Sequence, residues 1–131
     1  MRNYRYLLIA ILFLSANAHA FQHKIEIIEQ FDNLRMVSFI TIEDINSNPE
    51  WDPDVDVPPL TVDKAIQAVK AFVKASGSIK EIEIRQVPKH EKQWHYLIKV
   101  NNDSMKSKYS VYLVLMSGKV IPAIIEPQGY K

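Results

Sequence analysis

Cysteine is absent from the 131 residues of this chain. The chain therefore forms no disulfide bond and offers no thiolate to a metal or a substrate. Glycine is scarce, with only Gly77, Gly118 and Gly129, and no phosphate-cradling loop can be built from these three. The Gly-x-Ser-x-Gly motif of many serine hydrolases is also missing. From these absences we predict that the chain is not an enzyme and uses no cofactor.

The chain also has no large excess of positive or negative charge. Sixteen Lys and Arg residues face fifteen Asp and Glu residues, a formal net charge of +1. Without Arg2 and Arg5, which lie in a predicted signal peptide, 14 basic residues remain against 15 acidic ones, a net charge of −1. A near-neutral domain lacks the basic field that nucleic-acid binding requires. We therefore predict no nucleic-acid partner.

The first 20 residues have the three parts of a secretory signal peptide. Arg2 and Arg5 give a basic start, residues 7–14 are apolar, and Ala18-His19-Ala20 is a small-x-small cleavage site. The apolar run is too short to anchor the chain stably in a bilayer. We predict cleavage after Ala20, a periplasmic or secreted location, and a single α+β domain over residues 21–131.

The stretch 58–77 has the features of one amphipathic helix. Thr61 is a suitable N-cap, and Gly77 can take the left-handed conformation that ends a helix. We predict a helix over 61–76 that lies on a core and buries Ile66, Val69 and Phe72 beneath a sheet. The apolar residues recur at spacings of three and four: Val62, Ala65, Ile66, Val69, Phe72 and Val73.

The segment before this helix, residues 21–59, is predicted to hold strands and a loop. Residues 21–30 favour a strand, although Ile25, Ile28 and Phe31 also fit a helical turn. Residues 35–42 are rich in β-branched and aromatic side chains and favour a strand. The proline- and aspartate-rich stretch 44–59 predicts a long loop, either functional or covering the core. Trp51 in its middle favours a cover.

Residues after the helix alternate in ways that predict an antiparallel meander. The strands are expected at 79–87, 93–100, 109–116 and 119–125, with a hairpin turn at Ser117-Gly118. Pro122 suggests that the last strand lies at an edge. The predicted fold class is α+β, with one amphipathic helix packed across one antiparallel sheet.

Residues 60–127 resemble the PepSY domain of exported bacterial proteins, with cystatin-like folds as the rival. The matching pieces are a T-x-x-x-A-I helix start at Thr61, the strand Trp94-His-Tyr-Leu-Ile-Lys-Val, and a closing Ser117-Gly-Lys-Val-Ile hairpin. The aspartate usual before that hairpin is missing, and residues 21–59 lie outside the resemblance. The resemblance implies a non-enzymatic module that binds another exported protein or restrains a peptidase.

Two sets of residues are candidates for an interaction surface. Trp94 and Tyr96 share a strand face, where they either pack under the helix or grip a peptide. Asp52, Asp54 and Asp56 alternate in the loop. They form a solvated acidic loop, a docking patch for a basic partner, or a weak calcium site. A calcium site of the EF-hand type would also need a glycine that this loop lacks.

The run His90-Glu91 followed by His95 suggests zinc at first sight. Its spacing is one residue longer than the helical His-Glu-x-x-His motif. On a turn and a strand, five residues place the two imidazoles on opposite faces. We predict no metal here, but a polar turn at His90 and a solvated strand face at His95.

The sequence thus favours an exported protein-binding or peptidase-restraining module. The alternative is a small-ligand or calcium-binding periplasmic protein. An enzyme is the third possibility, and it would need a deep pocket that holds His95 with a carboxylate. Partner identity and oligomeric state stay open.

Overall fold

The computed structural model describes residues 24–31, 34–73, 77–105 and 108–126. The predicted signal peptide, 1–20, lies outside these residues. Of the helices within them, none is long and apolar enough to cross a membrane. In chain order the elements are β1 (Ile25–Phe31), β2 (Leu34–Ile40), α1 (Ile42–Ser47), α2 (Val62–Val73), β3 (Ile79–Val87), β4 (His90–Asn101), β5 (Tyr109–Leu115), β6 (Val120–Pro122) and β7 (Ile124–Ile125).

The strands form two antiparallel sheets. One has three strands in the order β1-β2-β7, and the other has four in the order β3-β4-β5-β6. Helices together with antiparallel sheets agree with the predicted α+β class. The plan of one helix on one sheet is incomplete, because the part of the chain before α2 supplies most of a second sheet and a second helix.

The four-stranded sheet holds the four strands β3 to β6 in chain order. Its strands are antiparallel neighbours, with Tyr96 opposite Ile84 on β3 and Val114 on β5. The turn at Ser117-Gly118 is confirmed: Gly118 has φ +90° and donates its N–H to the Leu115 carbonyl at 2.8 Å. Glycine suits that positive φ because it carries no Cβ.

Helix α2 covers one face of the four-stranded sheet. Ala65 and Val69, 0% and 1% exposed, pack in one apolar cluster with Tyr96, Ile98, Val100, Tyr112, Val114 and Met116. Ile66 is only half-buried, and Phe72 is 52% exposed, so the prediction that Phe72 is buried is wrong. The Phe72 ring instead meets the Tyr112 ring edge-on, with centroids 6.0 Å apart.

The three-stranded sheet covers the opposite face. Its buried Ile27, Met36 and Ile40 pack with Leu97, Leu113 and other inward residues of the four-stranded sheet. An ion pair joins the two sheets, with Arg85 Nη1 2.6 Å from Glu29 Oε2. The central strands of the four-stranded sheet are therefore buried on both faces, which explains why β5 is apolar on both sides.

Residues 25–47 differ from the prediction in one respect. The strand preferred for β1 is confirmed, but β2 ends at Ile40 and α1 begins within the predicted strand and loop. Thr41 and Asp44 form a capping box: the Thr41 hydroxyl accepts from Asp44 N at 3.1 Å, and the Asp44 carboxylate accepts from Thr41 N at 3.0 Å. Each satisfies a free donor of the first turn.

The end of the described chain also differs from the prediction. The expected strand 119–125 divides at Ala123 into β6, which pairs with β5, and β7, which pairs with β2. Pro122 lies on β6, the edge of the four-stranded sheet, as expected for a residue that cannot donate to a ladder. By changing sheets, this short segment ties the two sheets together.

Candidate functional site

The aromatic candidates on β4 lie mostly inside the molecule. Tyr96 is 0% exposed, and its hydroxyl donates to the Leu60 carbonyl at 2.5 Å. Burial, with a smaller contribution from the Asp63 carboxylate, raises the pKa of Tyr96, so the phenol stays a neutral donor. Tyr96 therefore presents no surface to a partner. Of the two alternatives for this residue, packing under the helix is correct and gripping a peptide is wrong.

Trp94 is half-buried and is covered by the other tryptophan. The Trp51 and Trp94 ring centroids lie 5.2 Å apart in an edge-to-face arrangement, and both rings pack against the α2 cluster. The predicted role of Trp51 as a cover is confirmed. An exposed aromatic face on β4 is not formed, because α2 and Trp51 occupy it.

Trp51 also holds the loop that follows it. Its backbone N–H donates to the Lys92 carbonyl at 2.9 Å, and its indole N–H donates to the Asp56 carbonyl at 2.9 Å. Residues 52–57 are here called the 52–57 loop. Trp51 directly precedes this loop, and its side chain binds the far end of the loop at Asp56. The ring anchors the loop on the core at the same time.

Hydrogen bonds within the 52–57 loop fix its shape. The Asp52 carbonyl accepts from Val55 N at 3.1 Å and from Asp56 N at 3.0 Å. The Asp52 carboxylate accepts from Asp54 N at 3.0 Å, and the Asp56 carboxylate accepts from Val57 N at 2.8 Å. Aspartate side chains commonly close turns in this way. The carboxylates of Asp52 and Asp56, two of the three predicted candidates, therefore stabilise the shape of the loop and also give it negative charge.

The apolar residues of this loop point into solvent. Val55 is 80% exposed and Val57 is 75% exposed, more than the other large apolar side chains that the structure describes as exposed. The three aspartates beside them are exposed too. Single exposed apolar residues are common, but two on a fixed loop among carboxylates form a compact surface that can enter a partner's pocket.

A metal site at the aspartates gains no support from the geometry. Within the described parts of the chain, no three His, Cys, Asp or Glu side chains are grouped closely enough to hold a metal ion. His90 is half-buried at the start of β4, whereas His95 is 1% exposed between the two sheets. The solvated strand face predicted for His95 is therefore wrong: the three-stranded sheet covers it.

An open cleft flanks the 52–57 loop. One cavity of about 280 Å³ lies beside the loop, and Glu50, Trp51 and Lys92 contribute to its walls. A second cavity of about 650 Å³ lies between the end of α1 and the start of β4, and Glu50 and Lys92 line it too. This cleft leaves no pattern in the sequence, because its walls come from distant segments, with Asn48 and Gln93 separated by 45 positions. The valine and aspartate alternation in 52–57, by contrast, is visible in the sequence.

Comparison of the chain with known protein families, curated proteins and solved structures finds no match. The resemblance to the PepSY domain stays a prediction. The local geometry around the 52–57 loop is therefore the basis for inferring function.

Proposed function

We propose that the chain is a non-enzymatic protein-binding module that docks through the 52–57 loop. The observation that carries this proposal is the exposure of Val55 and Val57 on a loop whose backbone is already fixed. A fixed loop loses little conformational entropy when it binds, so more of the contact energy appears as affinity. Restraint of a peptidase, by occupying its surface, is one version of this function.

The chemistry of the loop indicates the kind of partner. Val55 and Val57 need an apolar pocket, and the carboxylates of Asp52, Asp54 and Asp56 favour lysine or arginine around its rim. Charges at a rim speed association and select partners more than they add affinity. The buried valines would supply most of the binding energy, at about 25 cal/mol for each Å² of apolar surface removed from water.

The docking test replaces both valines by serine. The chain is immobilised and exposed to an envelope extract from the organism of origin, and proteins that elute with salt are identified. We expect Val55→Ser with Val57→Ser to weaken retention of the partner by about tenfold or more, since two apolar anchors are lost. Thermal unfolding is measured on each variant to show that the fold is kept.

The matched control is Ile124→Ser, which removes an apolar side chain that is 53% exposed on the three-stranded sheet. It should retain the partner like the unmodified chain. Retention of the same proteins by the double serine variant would contradict docking through the loop.

We also propose that the module is exported and that α2 on the meander forms a PepSY-like unit. The packing of Ala65 and Val69 against β4 and β5 supports the second part. Sequencing the N-terminus of the purified native protein tests the first, and Phe21 is the expected first residue. A retained Met1 would contradict cleavage after Ala20.

The alternative of calcium binding is less well supported, because two of the three loop carboxylates accept hydrogen bonds from the loop backbone. Calorimetry with calcium tests it directly. Heat of binding that disappears in Asp52→Asn would favour this alternative over docking.

A further inference from the structure

The two cavities beside the 52–57 loop are neighbours, because Glu50 and Lys92 line both of them, and together they are here called the cleft. From these two residues the cleft runs to Ile45 on α1 in one direction and to Val55 and Val57 in the other. Volumes of about 650 and 280 Å³ fall in or near the range in which proteins hold ligands, roughly 300–1,000 Å³.

The floor of the cleft is preformed and its polar groups are already used. Asn48 and Gln93 are 5% and 8% exposed. Asn48 Nδ2 donates to Gln93 Oε1 at 2.7 Å, Gln93 Nε2 donates to the Asn48 carbonyl at 3.3 Å, and Asn48 Oδ1 accepts from Ser117 N at 3.0 Å. A small polar ligand would have to break these bonds, so recognition falls to the rim.

The rim is acidic. Glu50, Glu91, Asp52 and Asp56 line the cleft, against Lys92 and His90. Within the described residues, the ion pairs of the molecule involve none of these six side chains. Asp52 and Asp56 already accept hydrogen bonds from the loop backbone, so Glu50 and Glu91 are the carboxylates best placed to meet a cation brought by another molecule. In a cleft their fields add, which favours positively charged occupants.

We propose that this cleft holds an extended segment of the partner protein in which basic and apolar residues alternate. The lysine or arginine side chains of the segment meet Glu50 and Glu91, and its apolar side chains meet Val55 and Val57. The volume of the cleft suits a chain of a few residues, and the charge of the rim sets the sign of its side chains. This inference rests on the proposed docking function and assigns its partner a chemistry.

The test uses a fluorescently labelled peptide, Lys-Val-Lys-Val-Lys, with Glu-Val-Glu-Val-Glu as its counterpart. Binding is followed by fluorescence anisotropy at low and high salt. We expect the basic peptide to bind, the acidic one not to bind, and the affinity to fall as salt screens the charges. Glu50→Gln with Glu91→Gln should weaken binding about fivefold or more, since exposed charge pairs contribute modestly each.

Glu26→Gln is the matched control, because Glu26 is an exposed carboxylate on β1 in none of the ion pairs above. It should leave the affinity unchanged. Equal binding by the double glutamine variant, or equal binding of the acidic peptide, would overturn the inference.

Failure of this inference is distinguishable from failure of the docking function. If the natural partner is lost with the two valines but kept with the double glutamine variant, docking stands and the acidic cleft has no part in it. If the partner is kept without the valines, docking through the loop itself is wrong.

Discussion

At the scale of single residues, His95 is a buried titratable group whose pKa is changed by its surroundings. It is 1% exposed, and its register partners are Arg85 on β3 and Leu115 on β5. Burial lowers the pKa of His95 below its ordinary value of 6.5. The contact of its Nδ1 with the Tyr96 carbonyl opposes this shift, and the Arg85 guanidinium adds to it. The imidazole is therefore neutral in the folded chain at neutral pH.

This shift gives a pH dependence of stability with a definite sign. As pH falls through 6.5, the unfolded chain takes up a proton on this histidine while the folded chain resists it, so the free energy of unfolding falls. The slope approaches about 1.4 kcal/mol for each pH unit. Urea denaturation between pH 8 and pH 5 measures it, and His95→Leu should flatten the curve.

Two comparisons make the assignment to His95 specific. His90→Gln, at the half-buried start of β4, should keep the slope. Burial by itself would raise the pKa of Asp44, but hydrogen bonds from Lys119 and Thr41 outweigh it and hold the pKa below 3.8. The stability that this carboxylate contributes is therefore lost only at a pH below the range measured here. A His95→Leu chain with the same slope as the unmodified chain would disprove the role of this histidine.

The same residue shows what alternation in a sequence can predict. The prediction that Trp94 and Tyr96 share one face of β4 is confirmed, because a strand turns every second side chain the same way. The pattern does not report whether the other face is covered, since that depends on residues far away in the chain. His95 and Leu97 are buried by the three-stranded sheet, which local alternation around them could not reveal.

At the scale of elements, only part of the apolar stripe of α2 is buried. Val69 is 1% exposed, whereas Phe72 at the next turn is 52% exposed. Val69→Ala should cost about 2 kcal/mol of unfolding free energy, from lost apolar contact and a residual cavity. Phe72→Ala should cost less, about 1 kcal/mol, since about half of Phe72 already lies in solvent.

Urea denaturation at pH 7 measures both changes, with Lys70→Ala on the exposed side of the helix as the control. If Phe72→Ala proved as costly as Val69→Ala, the far end of α2 would lie deeper than the structure places it. The sequence predicted the helix and its N-cap region, but the spacing of apolar residues does not show where the sheet beneath it ends.

Helix α1 was missed for a different reason. Six residues are too few for a helical period to stand out, and Pro49 and the aspartates after it favour a loop. The capping box Thr41-x-x-Asp44 was the available signal. The cleft could not be predicted without α1, since Ile45 and Asn46 form part of its wall.

At the scale of the whole molecule, the four-stranded sheet depends on both of its covers. The stretch from α2 to β6 contains this sheet and its first cover, but the second cover comes mainly from β1 and β2. That packing joins segments far apart in the chain, as the Glu29–Arg85 ion pair does across 56 residues. The apolar run of β5, buried on both faces, was the one sign that a second cover exists.

This dependence predicts that residues 60–131 alone do not fold cooperatively. Removing β1 and β2 would expose Val87, Leu97, Val111, Leu113 and Leu115, each 1% exposed or less. At about 1.5–3 kcal/mol for each buried side chain, the loss is of order 8–15 kcal/mol as an upper estimate, which matches the whole stability of a typical domain. Thermal unfolding followed by circular dichroism, with residues 21–131 as the control, measures the effect. A sharp transition in the short chain, without binding of a hydrophobic dye, would mean that 60–131 is a domain by itself and that the three-stranded sheet is an addition to it.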